Sequence, residues 1–249
     1  MECNFSYHHY IKTLKLFSEK YSINKVGNYN KISHNDNFIL LRHDVDISLD
    51  HALRLATKEK ENNFFSTYFI LLHSPYYNAL SPKNSKIIAK ISDMGHEIGL
   101  HYDTTLMPQD NEDLLLQLKN EANLLSNITN KKIKSVAQHN TTITRSIREL
   151  IPKSLFIDTM SKEIMNSVSY LSDSVQNWRK GCMCNHIGKH TKIQILTHPI
   201  WWSEISMSKE ETFNKFSQIE NKKIRDLVTN NLIIYKYYFE RILKNEKST

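Results

Sequence analysis

Phe38-Ile39-Leu40-Leu41-Arg42-His43-Asp44-Val45-Asp46 is the stretch on which the reading of this chain turns. It opens as a short apolar run of the kind that forms a buried strand, and it ends in charge. Side chains alternate faces along a strand, so Asp44 and Asp46 share one side and Val45 takes the other. Arg42 falls on the face of the two aspartates and can pair with one of them. His43 points away and reads as structural. Carboxylates at the end of a buried strand are costly unless a cation or a reaction uses them. In α/β folds the C-terminal strand ends are where sites are built. Taken alone, the segment fits a strand running into an Asp-rich turn equally well.

The flanking sequence repeats the pattern. A helix is expected over 49–62, with Leu49, Leu53 and Ala56 on one face. Residues 64–72 are rich in aromatic and β-branched types and read as a second strand. Ser81-Pro82 starts a helix that Gly95 ends. A third strand over 97–100 runs into His101-Tyr102-Asp103. The spacing of Leu114, Leu115, Leu118, Ala122 and Leu125 predicts a helix over 111–126. A fourth strand over 133–137 ends in Gln138-His139-Asn140, and a short helix is expected near 146–151. Further strands over 154–157, 168–171 and 193–196 end at Asp158, at Asp173 and at Thr197-His198. Before the first strand lie a helix over 7–21 and a polar loop over 27–37. After the last strand, Ser208 and Glu211 suit a capping box, and a helix runs towards Leu243 with a break near Asn230-Asn231.

Strands alternating with helices imply a parallel sheet. About seven of them suit a closed or nearly closed α/β barrel with extra N- and C-terminal helices; the alternative is an open doubly wound sheet. No Gly-x-Gly-x-x-Gly follows the first strand, which argues against a dinucleotide fold. At 249 residues, with 40% hydrophobic and 24% charged content and only 5 Gly and 5 Pro, the chain reads as one domain, 1–249. Its core spans about 38–202, with a C-terminal helical extension over about 208–245. The net charge of +7 would suit an anionic partner, but the Lys and Arg are dispersed among acids. A nucleic-acid interface is therefore not expected. The first ten residues lack a signal-type apolar core, and no run has transmembrane length, so a cytoplasmic location is expected. The 3 cysteines form no disulfide framework. Cys182-x-Cys184-x-His186 with His190 reads either as a structural zinc site or as a polar loop with reduced thiols.

The strand ends bring Asp44, Asp46, His101, Asp103, His139, Asp173 and His198 to one rim. A single His in such a place is ordinarily a structural hydrogen bonder. Several strand ends carrying Asp or His together match the ligand chemistry of a catalytic Zn²⁺ or similar divalent ion. Such a site needs Asp and His on the metal, a second carboxylate to take a proton from water, and a His to protonate the leaving group. Asp44, Asp46, His101 and His198 can fill those roles.

Gly95-His96-Glu97-Ile98-Gly99-Leu100-His101 resembles the second motif of the polysaccharide deacetylases (carbohydrate esterase family 4, the NodB homology domain). Asp44-Val45-Asp46 resembles their first motif, Ser66-Thr67-Tyr68-Phe69-Ile70 the strand between the two, and Leu196-Thr197-His198 the last motif. The His-Asp-Val-Asp start and the Thr-His-Pro-Ile-Trp-Trp end are similar to a cytosolic branch, the WbmS-like proteins of surface-polysaccharide gene clusters. The resemblance implies a distorted (β/α)7 barrel and metal-dependent N- or O-deacetylation of a sugar; the cytosolic setting and the basic charge suit a soluble or nucleotide-linked one. It implies Asp44 as general base, Asp46 and His101 as metal ligands, and His198 as general acid, with Asp173 orienting His198. The family's second His is Thr105 here, so the third ligand is expected at His139 or at Asp103, with His139 better placed.

Trp201 and Trp202 either stack on a sugar at the rim or cover the barrel mouth. Tyr235, Tyr237, Tyr238 and Phe239 form an aromatic patch suited to a core or to an oligomer contact. Besides the deacetylase, two readings stay open: a hydrolase of another non-peptide C–N bond, and a non-catalytic barrel that binds glycan or a partner.

Overall fold

The computed structural model describes residues 3–140 and 146–246, apart from the side chains of 235, 238, 239 and 242–246. The aromatic patch of Tyr235, Tyr238 and Phe239 therefore lies outside the described residues. Helix α1 (Tyr7–Ser18) is followed by β1 (Ser22–Asn24), β2 (Phe38–Val45), α2 (Leu49–Glu61), β3 (Thr67–Leu71), α3 (Pro82–Asp93) and β4 (Glu97–Tyr102). Then come α4 (Asn111–Thr129), β5 (Ser135–Gln138), β6 (Ile157–Asp158), α5 (Lys162–Ser167), β7 (Ser169–Ser172), β8 (Lys192–Thr197) and α6 (Lys209–Glu246).

The strands form one sheet in the order β6-β5-β4-β3-β2-β8-β7, with β1 beside β2 off that path. Every described pairing is parallel. This is the expected distorted (β/α)7 barrel. Among the described residues no ladder joins β6 to β7, so closure is incomplete. Near that gap Gln194 Nε2 donates to Thr159 O at 3.2 Å.

Alternation sorts each strand. Val45, Tyr68, Ile70, Ile98, Leu100, Tyr102 and Val136 form one apolar cluster with Leu49 and Ala56 of α2, Ile88 and Ile91 of α3, and Leu114 and Leu118 of α4. The other face fills the barrel, with Phe69 and Ala137 packed on Val26. Gly99 permits this filling, because a Cβ there would meet the Phe69 ring at 2.4 Å. Gly95 takes φ +102 after α3, a conformation that L side chains resist.

Several expectations need correcting. Residues 146–151 form a turn rather than a helix. Pro152 disfavours helical geometry at Ile151 and has no N–H to continue one. The strand expected over 154–157 shrinks to Ile157–Asp158, because Leu155 N and Phe156 N both donate to Pro152 O (2.9 and 3.2 Å). Strand β1 arises within polar sequence; it forms because its ladder to Phe38–Leu40 supplies the hydrogen bonds.

The backbone divides into two compact units, residues 1–206 and residues 207–249. The second holds α6, which runs through Asn230-Asn231 without the expected break. Neither Asn removes a backbone donor, so the i→i−4 ladder continues. The expected capping box forms: Ser208 N donates to Glu211 Oε2 at 2.7 Å, and Glu211 N to Ser208 Oγ at 3.2 Å. No helix among the described residues is long and apolar enough to cross a membrane.

Beneath α2 lies a polar hub. Glu59 is fully buried. Its Oε1 accepts from Tyr10 Oη and from His43 Nε2 (2.9 Å), and its Oε2 from Ser66 Oγ (2.7 Å) and Tyr68 Oη (2.8 Å). Burial alone would raise this carboxyl; His43, His96 and the hydrogen bonds outweigh it and hold it at about 2. His43 Nδ1 meets Thr197 Oγ1 at 2.6 Å, which ties β2 to β8 one residue before Asp44 on one strand and His198 on the other.

Candidate functional site

The C-terminal strand ends surround a cavity of about 450 Å³, lined in part by Asp44, Asp46, His101, His139 and His198. That size suits a small-molecule ligand. Asp44 stands on β2 and Asp46 just beyond it; His101 stands on β4; His139 and His198 directly follow β5 and β8.

Asp46 Oδ1 lies 3.2 Å from His101 Nε2 and 3.5 Å from His139 Nδ1, and the two ring nitrogens are 3.2 Å apart. His101 Nδ1 faces Ala137 O at 2.8 Å. A carbonyl only accepts, so Nδ1 carries a proton and Nε2 is the ring atom turned towards Asp46; burial would lower the His101 pKa, but Asp44, Asp46 and the Ala137 carbonyl outweigh it and raise it. Asp46 Oδ1 is buried, and no donor among the described residues is aligned on it. Burial alone would raise the Asp46 carboxyl, but the proximity of His101, His139 and His198 holds it well below the usual carboxylate range.

Three potential metal-ligand atoms thus converge. Metal–ligand bonds of about 2.0–2.1 Å in a tetrahedral site set ligand atoms roughly 3.3 Å apart. The separations of 3.2, 3.5 and 3.2 Å fit that requirement. Asp46, His101 and His139 could therefore hold a divalent metal ion.

Asp44 flanks this trio. Its Oδ2 accepts from Arg42 Nη2 at 2.9 Å and lies 3.7 Å from His101 Nε2. Its Oδ1 has no partner among the described residues. Arg42 is buried, with its guanidinium 5.5 Å from the centre of the Phe69 ring. The ion pair fixes the rotation of the Asp44 carboxylate and leaves one oxygen uncommitted.

His198 stands on the other side, with Nε2 3.7 Å from Asp46 Oδ2. Its Nδ1 donates to Asp173 Oδ1 at 2.7 Å, and its backbone N donates to the same carboxylate. The buried Asp173 also accepts from Trp202 Nε1 at 2.9 Å. Burial would lower the His198 pKa, but the bond to Asp173 and the charges of Asp173, Asp46 and Asp44 outweigh it and raise it to about 9. Trp202 is itself buried, packed on Phe5 and Tyr10 with ring centroids at 5.0 and 4.9 Å. Its ring offers no stacking face at the rim, because closure of the N-terminal segment over the indole covers it; the polar edge orients Asp173.

Asp103 is not drawn into the site. Its Oδ1 accepts from Thr105 N (2.9 Å) and Thr105 Oγ1 (2.7 Å), capping the turn after β4. Tyr170, Arg179 and Lys180 also line the cavity, although sequence reasoning did not single them out. Arg179-Lys180 carries no periodic signal and reads as ordinary surface charge.

No family model and no curated protein sequence matches this chain. Among solved structures, a carbohydrate esterase family 4 pseudoenzyme from Bacillus anthracis is 14% identical, with 77% of this chain aligned to 63% of that chain and a TM-score of 0.49. The present chain thus spans less than two thirds of that protein. A family 4 carbohydrate esterase from Bacillus anthracis is 17% identical over 87% of this chain and 91% of that one, with a TM-score of 0.47. A polysaccharide deacetylase from Bacillus cereus is 13% identical over 75% of this chain and 89% of that one, with a TM-score of 0.44.

Proposed function

We propose that this chain is a metal-dependent hydrolase that removes an acyl group from the nitrogen of a soluble or nucleotide-linked sugar. The setting we assign is cytoplasmic synthesis of a surface polysaccharide. One observation carries the reading: a ligand trio, Asp46, His101 and His139, stands between an uncommitted carboxylate oxygen on Asp44 and the Asp173-backed His198. Arg179 and Lys180 on the cavity wall suit an anionic group such as a nucleotide diphosphate.

A divalent ion, which we take to be Zn²⁺, would be held by Asp46, His101 and His139; when bound it supplies Lewis-acid polarisation of the acyl carbonyl and lowers the pKa of water. The protein's own groups do the rest. Asp44, steadied by Arg42, accepts the proton of the attacking water at Oδ1. His198 holds a proton on Nε2 and delivers it to the leaving nitrogen. Asp173 keeps Nδ1 protonated and the ring aimed at the cavity, and Trp202 and the His198 backbone N–H fix Asp173 in turn.

Elemental analysis of the purified protein tests the ligand set. The wild type should carry a divalent metal in this site, and His101→Ala and His139→Ala should each lower the count by one per chain. A count that falls only with His101→Ala would remove His139 from the set. Counts unchanged in both variants would sink the proposal and favour the binding barrel.

The acid role sets a pH limit. A general acid must be protonated, so activity should fall as pH rises through the His198 pKa, at or below about 9, since any cation on Asp46 cancels one of the charges that raise it. Asp173→Asn removes the largest of the raising influences, and should move the alkaline limb of kcat/KM to lower pH. An alkaline limb that stays in place in Asp173→Asn would assign it to another group.

A further inference from the structure

We propose a second metal centre, a structural Zn²⁺ held by Cys3, His9, Cys182 and Cys184. The sequence pattern pointed to Cys182 and Cys184 with His186 and His190. The fold separates those pairs. His186 Nε2 donates to Lys180 O at 2.9 Å, and its ring stacks on His190 with centroids 5.7 Å apart. In their place the start of the chain supplies Cys3 and, from the first turns of α1, His9.

The four ligand atoms all lie within 4.8 Å of one another. Cys3 Sγ is 3.3 Å from Cys184 Sγ, and His9 Nε2 is 3.2 Å from Cys182 Sγ. A disulfide would need about 2.05 Å between sulfurs. A tetrahedral zinc with Zn–S near 2.3 Å and Zn–N near 2.0 Å sets sulfurs roughly 3.8 Å apart, and sulfur and nitrogen about 3.5 Å apart. These two spacings need to open by about 0.5 and 0.3 Å. Three thiolates and one imidazole form one of the common closed structural donor sets for this ion.

A second observation points the same way. His9 is only 2% exposed, and its Nδ1 has no partner among the described residues. Among the described residues the ring does not bridge two protein groups; the polar contact it makes there is with the Cys182 sulfur. The centre joins the segment before α1 to the loop between β7 and β8. Residues just upstream on that loop, from Trp178 to Gly181, line the candidate active cavity. The ion would fix that wall and take no part in the chemistry.

Cobalt exchange of the full chain, kept in a thiol-free reductant, separates the two centres. Cobalt bound by thiolates gives sulfur-to-metal charge-transfer absorption in the near ultraviolet and intense tetrahedral bands in the visible; a site of Asp and His gives no charge-transfer band. The expected result is that the thiolate band is present in wild type and in Asp46→Asn. It should be lost in Cys182→Ser and weakened in Cys3→Ser, whose exposed position spares the core. The zinc count should fall by one per chain in Cys182→Ser, independently of the change in Asp46→Asn. Cobalt uptake without a thiolate band would overturn the proposal. So would a band that survives both cysteine variants, or a Cys3–Cys184 disulfide in the reduced preparation.

Discussion

Replacing Asp44 by Asn should lower kcat by about 10²- to 10⁴-fold, the usual worth of a positioned general base, while bound metal stays at wild-type stoichiometry. The expectation rests on where each aspartate is placed. Asp46 Oδ1 sits against two imidazole nitrogens at 3.2 and 3.5 Å, as a ligand does. Asp44 spends Oδ2 on Arg42 at 2.9 Å and keeps Oδ1 uncommitted, as a base does. An Asn side chain can still accept from Arg42 through its carbonyl oxygen, so the local structure should hold and the loss should fall on proton transfer alone. Asp46→Asn should remove metal and activity together. Steady-state assays run beside elemental analysis read both quantities. Loss of metal in Asp44→Asn would exchange the roles of the two aspartates, and full activity in that variant would remove Asp44 from the mechanism.

The largest stability effect is expected far from the metal ligands, at Glu59→Leu. This change deletes the acceptor shared by Tyr10, His43, Ser66 and Tyr68 and leaves their donors buried. Exchanging a whole buried polar group for apolar residues can be neutral, but removing one member strands the others, at about 3–5 kcal/mol. For a domain of this size that corresponds to a Tm lower by roughly 10 °C. The pH dependence has a definite sign. A carboxyl held at about 2 against an ordinary 4.5 contributes stability that is complete above pH 4.5 and is lost as pH falls towards 2. That contribution is of the order of 3 kcal/mol. Urea unfolding at pH 7 should therefore separate wild type from Glu59→Leu widely, and the gap should narrow below pH 4.5. Equal unfolding free energies at pH 7 would show the hub to be energetically idle.

Sequence alone determined the architecture, because both of its signals are local. Alternation of strands with helices requires a parallel sheet, and the two-residue period of β2 places Arg42, Asp44 and, just past the strand, Asp46 on one side. The placing of Asp or His at successive strand ends was equally legible, since in a parallel barrel all those ends meet at one rim. Tertiary structure decided whatever depends on residues distant in the chain. Asp103 and His139 were both open as third ligands; Asp103 instead caps its own turn through Thr105, while β5, paired with β4 at His101↔Ala137, brings His139 to 3.2 Å from His101. Trp202 was open as a sugar-stacking aromatic or as a cover of the barrel mouth; Phe5 and Tyr10 pack against it and bury it. Glu59, in the run Lys58-Glu59-Lys60-Glu61, has the pattern of a solvated face, and only the packing of α2 against Tyr10, His43 and Tyr68 buries it. Cys3 and His9 lie some 180 residues from Cys182 and Cys184, and no spacing rule joins them. Periodicity reports which face a residue takes; only the folded chain reports what stands opposite that face.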